Sequence, residues 1–408
     1  MSKRNPPPTY ISLFCGCGGF DTGFKENGFK CLGAYDIDSQ IIEVHKKNFS
    51  TNSYIHDLQS HDLPGNLPSS VDIVVAGSPC QGFSTLGKRK LNDPRNHLLL
   101  TGGMIAIKYK ARVFVCENVL GSLSGKHKRY WNKLLKLLHN EGYRSKLVTY
   151  NGIDIGIPQT RKRIILYAWK SDKLLDFTLK EITLPKKVLK DVLHNIDKVP
   201  NHNKDYIDPN SKDFIIANRI GQGQKLCNVR GGTRSIHTWE IPEVFGYVNS
   251  SEKNTLLTIM KLRRQLRRRK SGDADPVEIN FLMTHLNMDE SKFHSLISHL
   301  VNQGYLKFVG KKYLDLTQTF NGKFKRLILD GFSPTVDTQY GNYKHFLHPI
   351  ENRPLSVREA ARVQGFDDDF IFSGHIKKQY QMIGNAVPPP LSKIIAENIK
   401  YQIIPNLI

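Results

Sequence analysis

Residues 72–82, Asp-Ile-Val-Val-Ala-Gly-Ser-Pro-Cys-Gln-Gly, lead from a run of apolar residues directly to a cysteine. The apolar part is typical of a parallel strand that is buried on both faces. Cys80 follows this strand, and the ligand crevice of an open α/β sheet lies at the ends of its strands. A second apolar run, Val113–Cys116, is followed by Glu117–Val119. A thiol and a carboxyl group at the ends of two strands would place a nucleophile and an acid in one cleft.

Six short blocks of the sequence resemble motifs of the cytosine-5 DNA methyltransferases, and they occur in that family's order. They are Phe14–Gly19, Gly77–Gln81, Glu117–Val119, Gln159–Arg163, Arg353–Glu359 and Gly384–Pro388. The resemblance covers roughly residues 10–170 and 350–400, whereas the segment between matches no shared motif. It implies an α/β fold, with a Rossmann-like methyltransferase domain and a smaller inserted target-recognition domain. It also implies S-adenosyl-L-methionine as the cofactor and double-stranded DNA as the partner.

The composition sets bounds that agree with this resemblance. A chain of 408 residues with 39% hydrophobic content can bury a large core and should form two or more domains. Lys and Arg number 59 against 37 Asp and Glu, which gives a formal net charge of +22. Such an excess predicts a polyanionic partner, most simply nucleic acid. A basic, soluble protein without such a partner is the alternative.

The six cysteines do not occur in paired metal-ligand spacings, so they indicate reduced thiols and no metal site. No apolar run approaches the ~18–20 residues of a membrane span. Three prolines at residues 6–8 leave no apolar signal core near the N-terminus. These features predict an intracellular protein that has no membrane partner. The resemblance implies a cytoplasmic, nucleoid-associated protein of a prokaryote, and we expect a monomer.

A cofactor loop is predicted near the N-terminus. Tyr10–Phe14 forms a short strand, and the glycines of Gly16–Gly19 let the backbone approach a ligand and open a helix toward it. That helix is expected over Phe20–Asn27. The next strand, Cys31–Tyr35, ends at Asp36, an acid that suits ribose hydroxyls. No Walker loop is present, so we do not expect hydrolysis of a nucleoside triphosphate.

The resemblance assigns further residues to the cofactor pocket. The family usually has Glu at the position of Asp36, whose shorter side chain keeps the charge. Asp57 would accept a hydrogen bond from the adenine amino group, although a solvated turn residue is the alternative. In full, the expected cofactor residues are Phe14, Gly16, Cys17, Gly19, Asp36, Ile37, Asp57, Leu58, Pro79, Leu98, Asn385 and Ala386.

Methylation at carbon 5 of cytosine explains the need for a thiol and an acid. Carbon 5 is a poor nucleophile, and a thiolate that adds to carbon 6 turns the ring into an enamine-like species. Cys80 would be this covalent catalyst; a small buried hydrophobe is its alternative role. Glu117 would donate or share a proton at N3 and the exocyclic amine, so burial should raise its pKa. By resemblance, Arg163 would hold the cytosine O2, Arg161 would support the site, and Gln81 belongs to the same catalytic group.

A duplex hides its cytosine, so the enzyme must flip the base into the pocket. The segment Gln81–His97 contains two glycines, one proline and four basic residues, which is typical of a mobile lid. We expect Lys88, Arg89 and Lys90 to touch phosphates; a merely solvated basic loop is the alternative. The expected DNA contacts in and near the catalytic domain are Ser84, Lys88, Arg89, Lys90 and Gln159.

From Leu174 to about Phe346 the alternation of strands and helices gives way to Lys- and Asn-rich sequence. This segment stands where the family keeps its target-recognition domain. Arg230–Trp239 combines basic, flexible and aromatic residues, as a DNA-reading loop would. Its expected DNA contacts are Arg230, Thr233 and Arg234. A surface turn over a small core is the alternative.

A second unit is predicted inside that segment, over residues 252–316. Leu256–Lys270 indicates a helix with a basic end, and Asn287–Glu290 looks like the capping box of another helix with one apolar face. Tyr305–Leu316 indicates a hairpin with a basic tip. Helices and a hairpin in this order resemble a winged helix. If the unit binds DNA, Lys292, His294 and Ser295 would face the groove; otherwise it only packs or dimerises.

The expected domains follow from these positions. Residues 1–175 form the first part of the catalytic domain, residues 176–345 the target-recognition domain, and residues 346–408 complete the catalytic domain. Ser356 can cap a helix together with Glu359, and residues 391–400 form a final helix. Because Asn385 returns to the cofactor, the N-terminal and C-terminal parts must share one domain.

The sequence therefore predicts an S-adenosylmethionine-dependent DNA cytosine-5 methyltransferase with two lobes and DNA between them. The resemblance favours a restriction–modification setting with a cognate restriction endonuclease that acts separately. A tRNA cytosine-5 methyltransferase shares the catalytic motifs, but the Cys-Phe-Thr signature of that branch is absent from the sequence. A DNA-binding repressor that has lost catalysis would tolerate damaged motifs, whereas Cys80, Glu117, Arg163 and Asn385 are all present.

Overall fold

The computed structural model of the chain describes residues 6–79, 93–182, 184–268 and 274–407. The chain divides into two compact units: the first takes residues up to Asn203, Asp330–Gln339 and Ser356–Ile408, and the second takes Lys204–Leu329 and Tyr340–Leu355. Residues 176–203 and 330–339 thus belong to the first unit, although the sequence suggested one separate domain over 176–345. Backbone hydrogen bonds hold them there, because the Thr160 N–H donates to the Ser333 carbonyl at 2.9 Å and the Leu189 N–H to the Gly331 carbonyl at 3.0 Å.

The first unit begins with strands and helices that alternate along the chain. They are β1 (Thr9–Leu13), α1 (Gly19–Glu26), β2 (Lys30–Asp36), α2 (Ser39–Asn48), β3 (Ser53–Ile55), β4 (Ile73–Ala76), α3 (Leu98–Lys108), β5 (Val113–Val119), α4 (Lys128–Asn140), β6 (Arg144–Asn151), β7 (Lys162–Trp169) and α5 (Lys190–Leu193). The strands form one seven-stranded sheet in the order β3-β2-β1-β4-β5-β7-β6.

One strand of this sheet runs against the others. Strands β1 to β5 pair in parallel, whereas β7 is antiparallel to both β5 and β6. The carboxyl ends of β1 to β5 therefore meet at one edge of the sheet, and β7 begins at that same edge. The register pairs Arg163 at the start of β7 with Val119 at the end of β5.

Alternate residues of the central strands bury against opposite faces of the sheet, as the apolar runs predict. Val74 and Ala76 join a core with α3 and α4 residues such as Trp131. Ile73 and Val75 join a second core with residues of α1 and of the C-terminal helices. The strand that leads to Cys80 is therefore fixed on both faces.

The C-terminal segment returns to the first unit as three helices: α11 (Val357–Gln364), α12 (Ile376–Asn385) and α13 (Pro389–Asn398). The predicted capping box of α11 is confirmed, since the Glu359 N–H donates to Ser356 Oγ and the Ser356 N–H donates to the Glu359 carboxylate. Helix α13 starts at a proline, which suits the first helical position.

The second unit has shorter elements. These elements lie between α5 and α11 along the chain. They are α6 (Lys212–Arg219), β8 (Lys225–Leu226), β9 (Ser235–Ile236), α7 (Pro242–Phe245), α8 (Ser250–Gln265), β10 (Val277–Glu278), α9 (Ile279–Leu286), α10 (Glu290–Asn302), β11 (Leu306–Val309), β12 (Tyr313–Leu316), β13 (Lys325–Arg326) and β14 (Phe346–Leu347).

Two helices of this unit differ from their predicted bounds. Helix α8 begins earlier than Leu256, because Asn249 and Glu252 form a capping box. It ends at Gln265, and beyond that point the Arg268 N–H donates to the Asp275 carboxylate at 2.8 Å. The predicted capping box at Asn287–Glu290 is wrong: Asn287 closes α9 in a left-handed conformation, and Asp289 alone caps α10.

The described cysteines, Cys15, Cys17, Cys31, Cys116 and Cys227, are all free thiols. Within the described residues, no group of His, Cys, Asp and Glu side chains is arranged to hold a metal ion. Of the described helices, none combines the length and the apolar character needed to cross a membrane.

Candidate active site

A cavity of about 410 Å³ opens in the first unit where the carboxyl ends of the parallel strands meet. Its walls come from the segments that follow the strands, from the start of α3, and from the end of α12 with the residues just after it. All twelve residues that the sequence assigned to the cofactor pocket line it: Phe14, Gly16, Cys17, Gly19, Asp36, Ile37, Asp57, Leu58, Pro79, Leu98, Asn385 and Ala386. Glu117, Arg161 and Arg163 line the same cavity.

The glycine loop after β1 is shaped by close approaches of the backbone. Gly18 caps α1 with a φ of 106°, in the left-handed region that favours glycine. A Cβ atom on Gly19 would lie 2.2 Å from the carbonyl oxygen of Val387, so no larger residue fits without a backbone shift. The loop and the segment that follows α12 can therefore wall one cavity only because Gly19 has no side chain.

Asp36 joins the glycine loop to the end of β2. Its carboxylate accepts hydrogen bonds from the N–H groups of Gly16 and Asp38, each at 3.1 Å. Burial raises the pKa of this carboxyl, and these peptide N–H groups oppose the rise. Ile37, the next residue, is 66% exposed and adds an apolar side chain to the cavity wall.

Asp57 occupies a turn after β3, and its side chain is exposed. One carboxylate oxygen accepts the Gln59 N–H at 3.0 Å, which is the contact of a local turn. The neighbouring Leu58 is buried. The solvated-turn alternative thus describes the local bonding of Asp57, although the residue also lines the cavity.

Glu117 and Arg163 form a buried ion pair beside the cavity. Arg163 Nε lies 2.7 Å from Glu117 Oε1, and both side chains are about nine-tenths buried, with exposures of 11% and 10%. Burial raises the pKa of Glu117, as the sequence led us to expect, while Arg163 and Arg161 oppose the rise. Glu117 is therefore closer to protonation near neutral pH than an exposed glutamate.

Arg161 is almost completely buried and binds backbone rather than another side chain in its described hydrogen bonds. Its guanidinium donates to the carbonyls of Val336 at 2.9 Å, Gly384 at 3.0 Å and Ala386 at 3.0 Å. It therefore fastens the end of α12 to the start of β7, next to the Glu117–Arg163 pair.

A sequence model of the family described as "C-5 cytosine-specific DNA methylase" matches residues 9–401. The chain belongs to this family. It is a DNA cytosine-5 methyltransferase, and membership of a methyltransferase family implies S-adenosylmethionine as the methyl donor.

Relatives and solved structures agree with the family over nearly the whole chain. The type II methyltransferase M.DdeI of Desulfomicrobium norvegicum is 29% identical over 96% of this chain and 88% of its own length. M.AgeI of Thalassovita gelatinovora is also 29% identical, over 96% of this chain and 99% of its own. A solved structure of a candidate DNA modification methyltransferase encoded within an E. coli prophage has a TM-score of 0.57 at 20% identity. It covers 96% of this chain and 98% of the other. That likeness supports the fold of the methylase.

The structure corrects one expected DNA contact of the methylase. Gln159 is completely buried, and its amide donates to the Val363 carbonyl at 2.9 Å and to the Gln364 side chain at 2.7 Å. Its amide oxygen accepts the Val336 N–H at 3.0 Å. Because all of these bonds are internal, Gln159 positions the segments around Arg161 and does not reach DNA.

Sequence patterns missed the residues that hold the turn before Cys80 in the methylase. Asn118 Nδ2 donates to the Ser78 carbonyl at 3.4 Å, and Ser78 Oγ donates to the Leu98 carbonyl at 3.4 Å. Both side chains are buried. The Glu-Asn-Val motif thus contributes an amide that positions the turn, beside its acid. The signal in the sequence that could have identified these residues is a polar residue directly after an apolar run.

Arg95 is a third residue that the sequence analysis did not single out as part of the site. It lines the cavity, and its guanidinium donates two hydrogen bonds to Asp93, at 2.9 and 2.7 Å. In the sequence, its position in a basic segment just before α3 is the feature that could have identified it.

The remaining expected site residues lie elsewhere or outside the described residues. Cys80, Gln81, Ser84, Lys88, Arg89 and Lys90 lie outside them. Arg230, Thr233 and Arg234 are exposed in the loop between β8 and β9 of the second unit.

Proposed function

We propose that this methylase transfers a methyl group from S-adenosylmethionine to carbon 5 of a cytosine that is flipped out of a specific double-stranded DNA sequence. The observation that carries the proposal is the Glu117–Arg163 pair at the wall of the cavity. It lies on β5 and β7, and β5 is the direct neighbour of the strand that leads to Cys80. An acid, a cation and the strand that precedes the cysteine therefore end beside one cavity large enough for a ligand.

The cavity suits S-adenosylmethionine in size and in chemistry. Its volume of about 410 Å³ is within the range of small-molecule sites. Asp36 and Asp57 offer carboxylate oxygens for ribose hydroxyls and an adenine amino group, while Ile37 and Leu58 offer apolar surface for a base. When bound there, the cofactor supplies an electrophilic methyl group on a sulfonium.

Cys80 would act as the nucleophile on the flipped cytosine. Its thiolate forms a bond to carbon 6, and the electron pair of the 5,6 double bond becomes available at carbon 5 for the methyl group. Carbon 5 takes the methyl group as its bond to the sulfonium breaks, and S-adenosylhomocysteine is the leaving group. A base such as water then takes the proton of carbon 5, the electron pair reforms the 5,6 double bond, and the bond between carbon 6 and sulfur breaks to return the thiolate. Ser78 and Asn118 would position the turn from which the thiol reaches the base.

Glu117 and Arg163 would stabilise the charge that this addition creates. Electron density moves onto N3 and the exocyclic amine, and a protonated Glu117 can donate a hydrogen bond or a proton there. The raised pKa of Glu117 supports this role. Arg163 would turn one N–H toward the cytosine O2, and Arg161 would keep both side chains in place from behind.

The second unit would read the target sequence. Arg230, Thr233 and Arg234 stand in an exposed loop that carries no acidic residue, as contact with a DNA groove requires. The nearby Lys325 is half-buried, and its pKa is lowered by burial and by the positive charges of Lys225 and Arg234. Among the residues that the structure describes, no acid forms an ion pair with these cations, and cations gathered in this way favour a phosphate as their partner.

Two further elements belong to this proposal. Residues 250–316 have the element order of a winged helix, so we assign them to a winged-helix subdomain of the second unit. The relatives named type II methyltransferases favour a restriction–modification setting, with a cognate endonuclease acting separately.

Bisulfite sequencing of plasmid DNA from cells that express the protein tests the function. We expect protected cytosines in one short sequence context, lost in Cys80→Ser and kept in Cys31→Ser, a cysteine near the opposite end of β2. Equal protection in the Cys80→Ser variant would refute the covalent mechanism. No protection from a soluble, DNA-bound wild type would move the substrate to tRNA or leave a binding-only role.

A further inference from the structure

Residues 250–316 form a subdomain with a hydrophobic core of its own. Helices α8, α9 and α10 and the three-stranded sheet β10-β12-β11 enclose it. Helices α9 and α10 are joined by only three residues, 287–289, and a hairpin follows directly after α10. Two helices joined by such a short turn are typical of DNA-binding helix-turn-helix units, in which the second helix enters the major groove.

The two faces of α10 differ in the way that groove binding requires. Phe293, Ile297 and Leu300 point into the core and are completely or almost completely buried. The opposite face carries four small hydrogen-bonding side chains, all exposed: Ser291, Ser295, Ser298 and Asn302. His299 borders this face and is paired with Glu252. Such residues permit close approach to base edges, and both serine and asparagine can bond to them. A protein interface would instead be expected to present large aromatic residues at its centre.

The surface around this helix is basic. Lys307 is on β11, and Lys311 and Lys312 form the turn of the hairpin; all three are exposed. Among the described residues, no acidic side chain forms an ion pair with any of them. On α10 itself the charges are already paired, Lys292 with Asp289 and His294 with Glu290. The lysines of the hairpin, rather than Lys292, are therefore available for phosphates.

We propose that this subdomain is a second DNA-binding site of the methylase, in which the Ser291–Asn302 face of α10 enters a major groove and the hairpin lysines bind the adjacent phosphates. The proposal rests on double-stranded DNA being the substrate. It extends the footprint beyond the base pairs read by the loop between β8 and β9. The hairpin also exposes two apolar side chains, Phe308 at 54% and Val309 at 37%, which are too few to form a large apolar patch.

The test compares two triple variants of the full chain that lose the same charge. K307Q/K311Q/K312Q alters the hairpin, and K30Q/K110Q/K173Q alters exposed lysines near the sheet edge opposite the cavity. Fluorescence anisotropy on a long duplex and on one trimmed to the target site gives Kd across a salt series. For the hairpin variant on the long duplex we expect Kd to rise about tenfold or more. The salt slope should fall by about two to three, because each phosphate contact contributes about 0.9.

The control variant should bind DNA like the wild type, with a kcat within twofold of the wild-type value. Ser295→Glu, which places a negative charge on the groove-facing side of α10, should also weaken binding to the long duplex, whereas Ser295→Ala should weaken it much less. Equal losses in both triple variants, or unchanged Kd in the hairpin variant and in Ser295→Glu, would overturn the proposal. A change of oligomeric state in sedimentation with unchanged DNA affinity would overturn it in favour of dimerisation.

Failure of this proposal is distinguishable from failure of the methyl transfer. Anisotropy needs no turnover, so a wild type that binds through the hairpin but leaves DNA unmethylated would refute only the activity. A wild type that methylates DNA while the hairpin variant binds normally would refute only the second DNA site. Thermal melting of each variant identifies any loss of folding.

Discussion

Replacing Glu117 by glutamine tests the central electrostatic argument. The amide has the same shape and keeps an oxygen that can accept from Arg163 Nε, now 2.7 Å away. It cannot transfer a proton to the cytosine ring. A positioned general acid contributes about 10²–10⁴-fold in rate, which corresponds to about 3–5 kcal/mol of barrier. We expect kcat to fall by that factor while the Kd for S-adenosylmethionine changes less than threefold.

The pH dependence sharpens this prediction. Glu117 acts while protonated, so the wild-type rate should fall as pH rises through its pKa, which burial raises. The thiol of Cys80 acts while deprotonated and should produce a rise with pH, so the wild-type profile is bell-shaped. In Glu117→Gln the falling limb should disappear.

Single-turnover transfer of labelled methyl groups to a duplex substrate across a pH series measures both effects. Glu141→Gln, an exposed residue at the end of α4, is the matched control and should behave like the wild type. A Glu117→Gln enzyme that keeps more than half of the wild-type rate, or keeps the same falling limb, would refute the proton-donating role.

Three further predictions concern residues that bind the cofactor or hold the walls of the cavity in place. Asp36→Asn removes the carboxylate charge, so calorimetry should show binding of S-adenosylmethionine that is about tenfold weaker. This is a loss of about 1.4 kcal/mol in binding free energy, and kcat should be nearly unchanged. An unchanged Kd would show that Asp36 does not contribute to the cofactor site. Arg161→Met removes a guanidinium that donates to three carbonyls, of which that of Ala386 keeps the Gln364 amide as a donor. It should lower the free energy of unfolding by about 3 kcal/mol or more in denaturant titrations. Arg144→Met, which loses one bond to a carbonyl, should cost clearly less, and equal losses would contradict the anchoring role. Gly19→Ala forces a Cβ against the Val387 carbonyl, so it should weaken cofactor binding at least tenfold while DNA binding is kept. The control, Gly231→Ala in the second unit, should leave the cofactor affinity unchanged. Normal cofactor affinity in Gly19→Ala would show that the loop tolerates the added Cβ.

Local patterns determined the parts of the fold whose causes are local. The apolar runs before Cys80 and at Val113–Cys116 became strands buried on both faces, because such runs satisfy a sheet covered on both sides. Ser356 and Glu359 form a capping box because their spacing alone allows it. Asp36 lies beside the glycine loop because the ends of parallel neighbouring strands meet at one edge.

Elsewhere the pattern was ambiguous or incomplete. The basic run Arg263–Lys270 looked like a continuous helix, but the helix ends at Gln265 and the Arg268 N–H bonds instead to the Asp275 carboxylate. Asn287 resembled the start of a capping box, yet it ends the preceding helix, because asparagine tolerates the left-handed conformation as well as it caps.

The sequence by itself determined the family, the chemistry-bearing residue types and the sheet edge at which they gather, because motif order and strand ends follow from local spacing. Only the tertiary structure decided what each polar side chain bonds to. Gln159 and Arg161 have partners roughly 175 to 225 positions away along the chain. A buried amide or guanidinium must satisfy its donors wherever packing brings acceptors, and no local pattern specifies which distant carbonyls those will be.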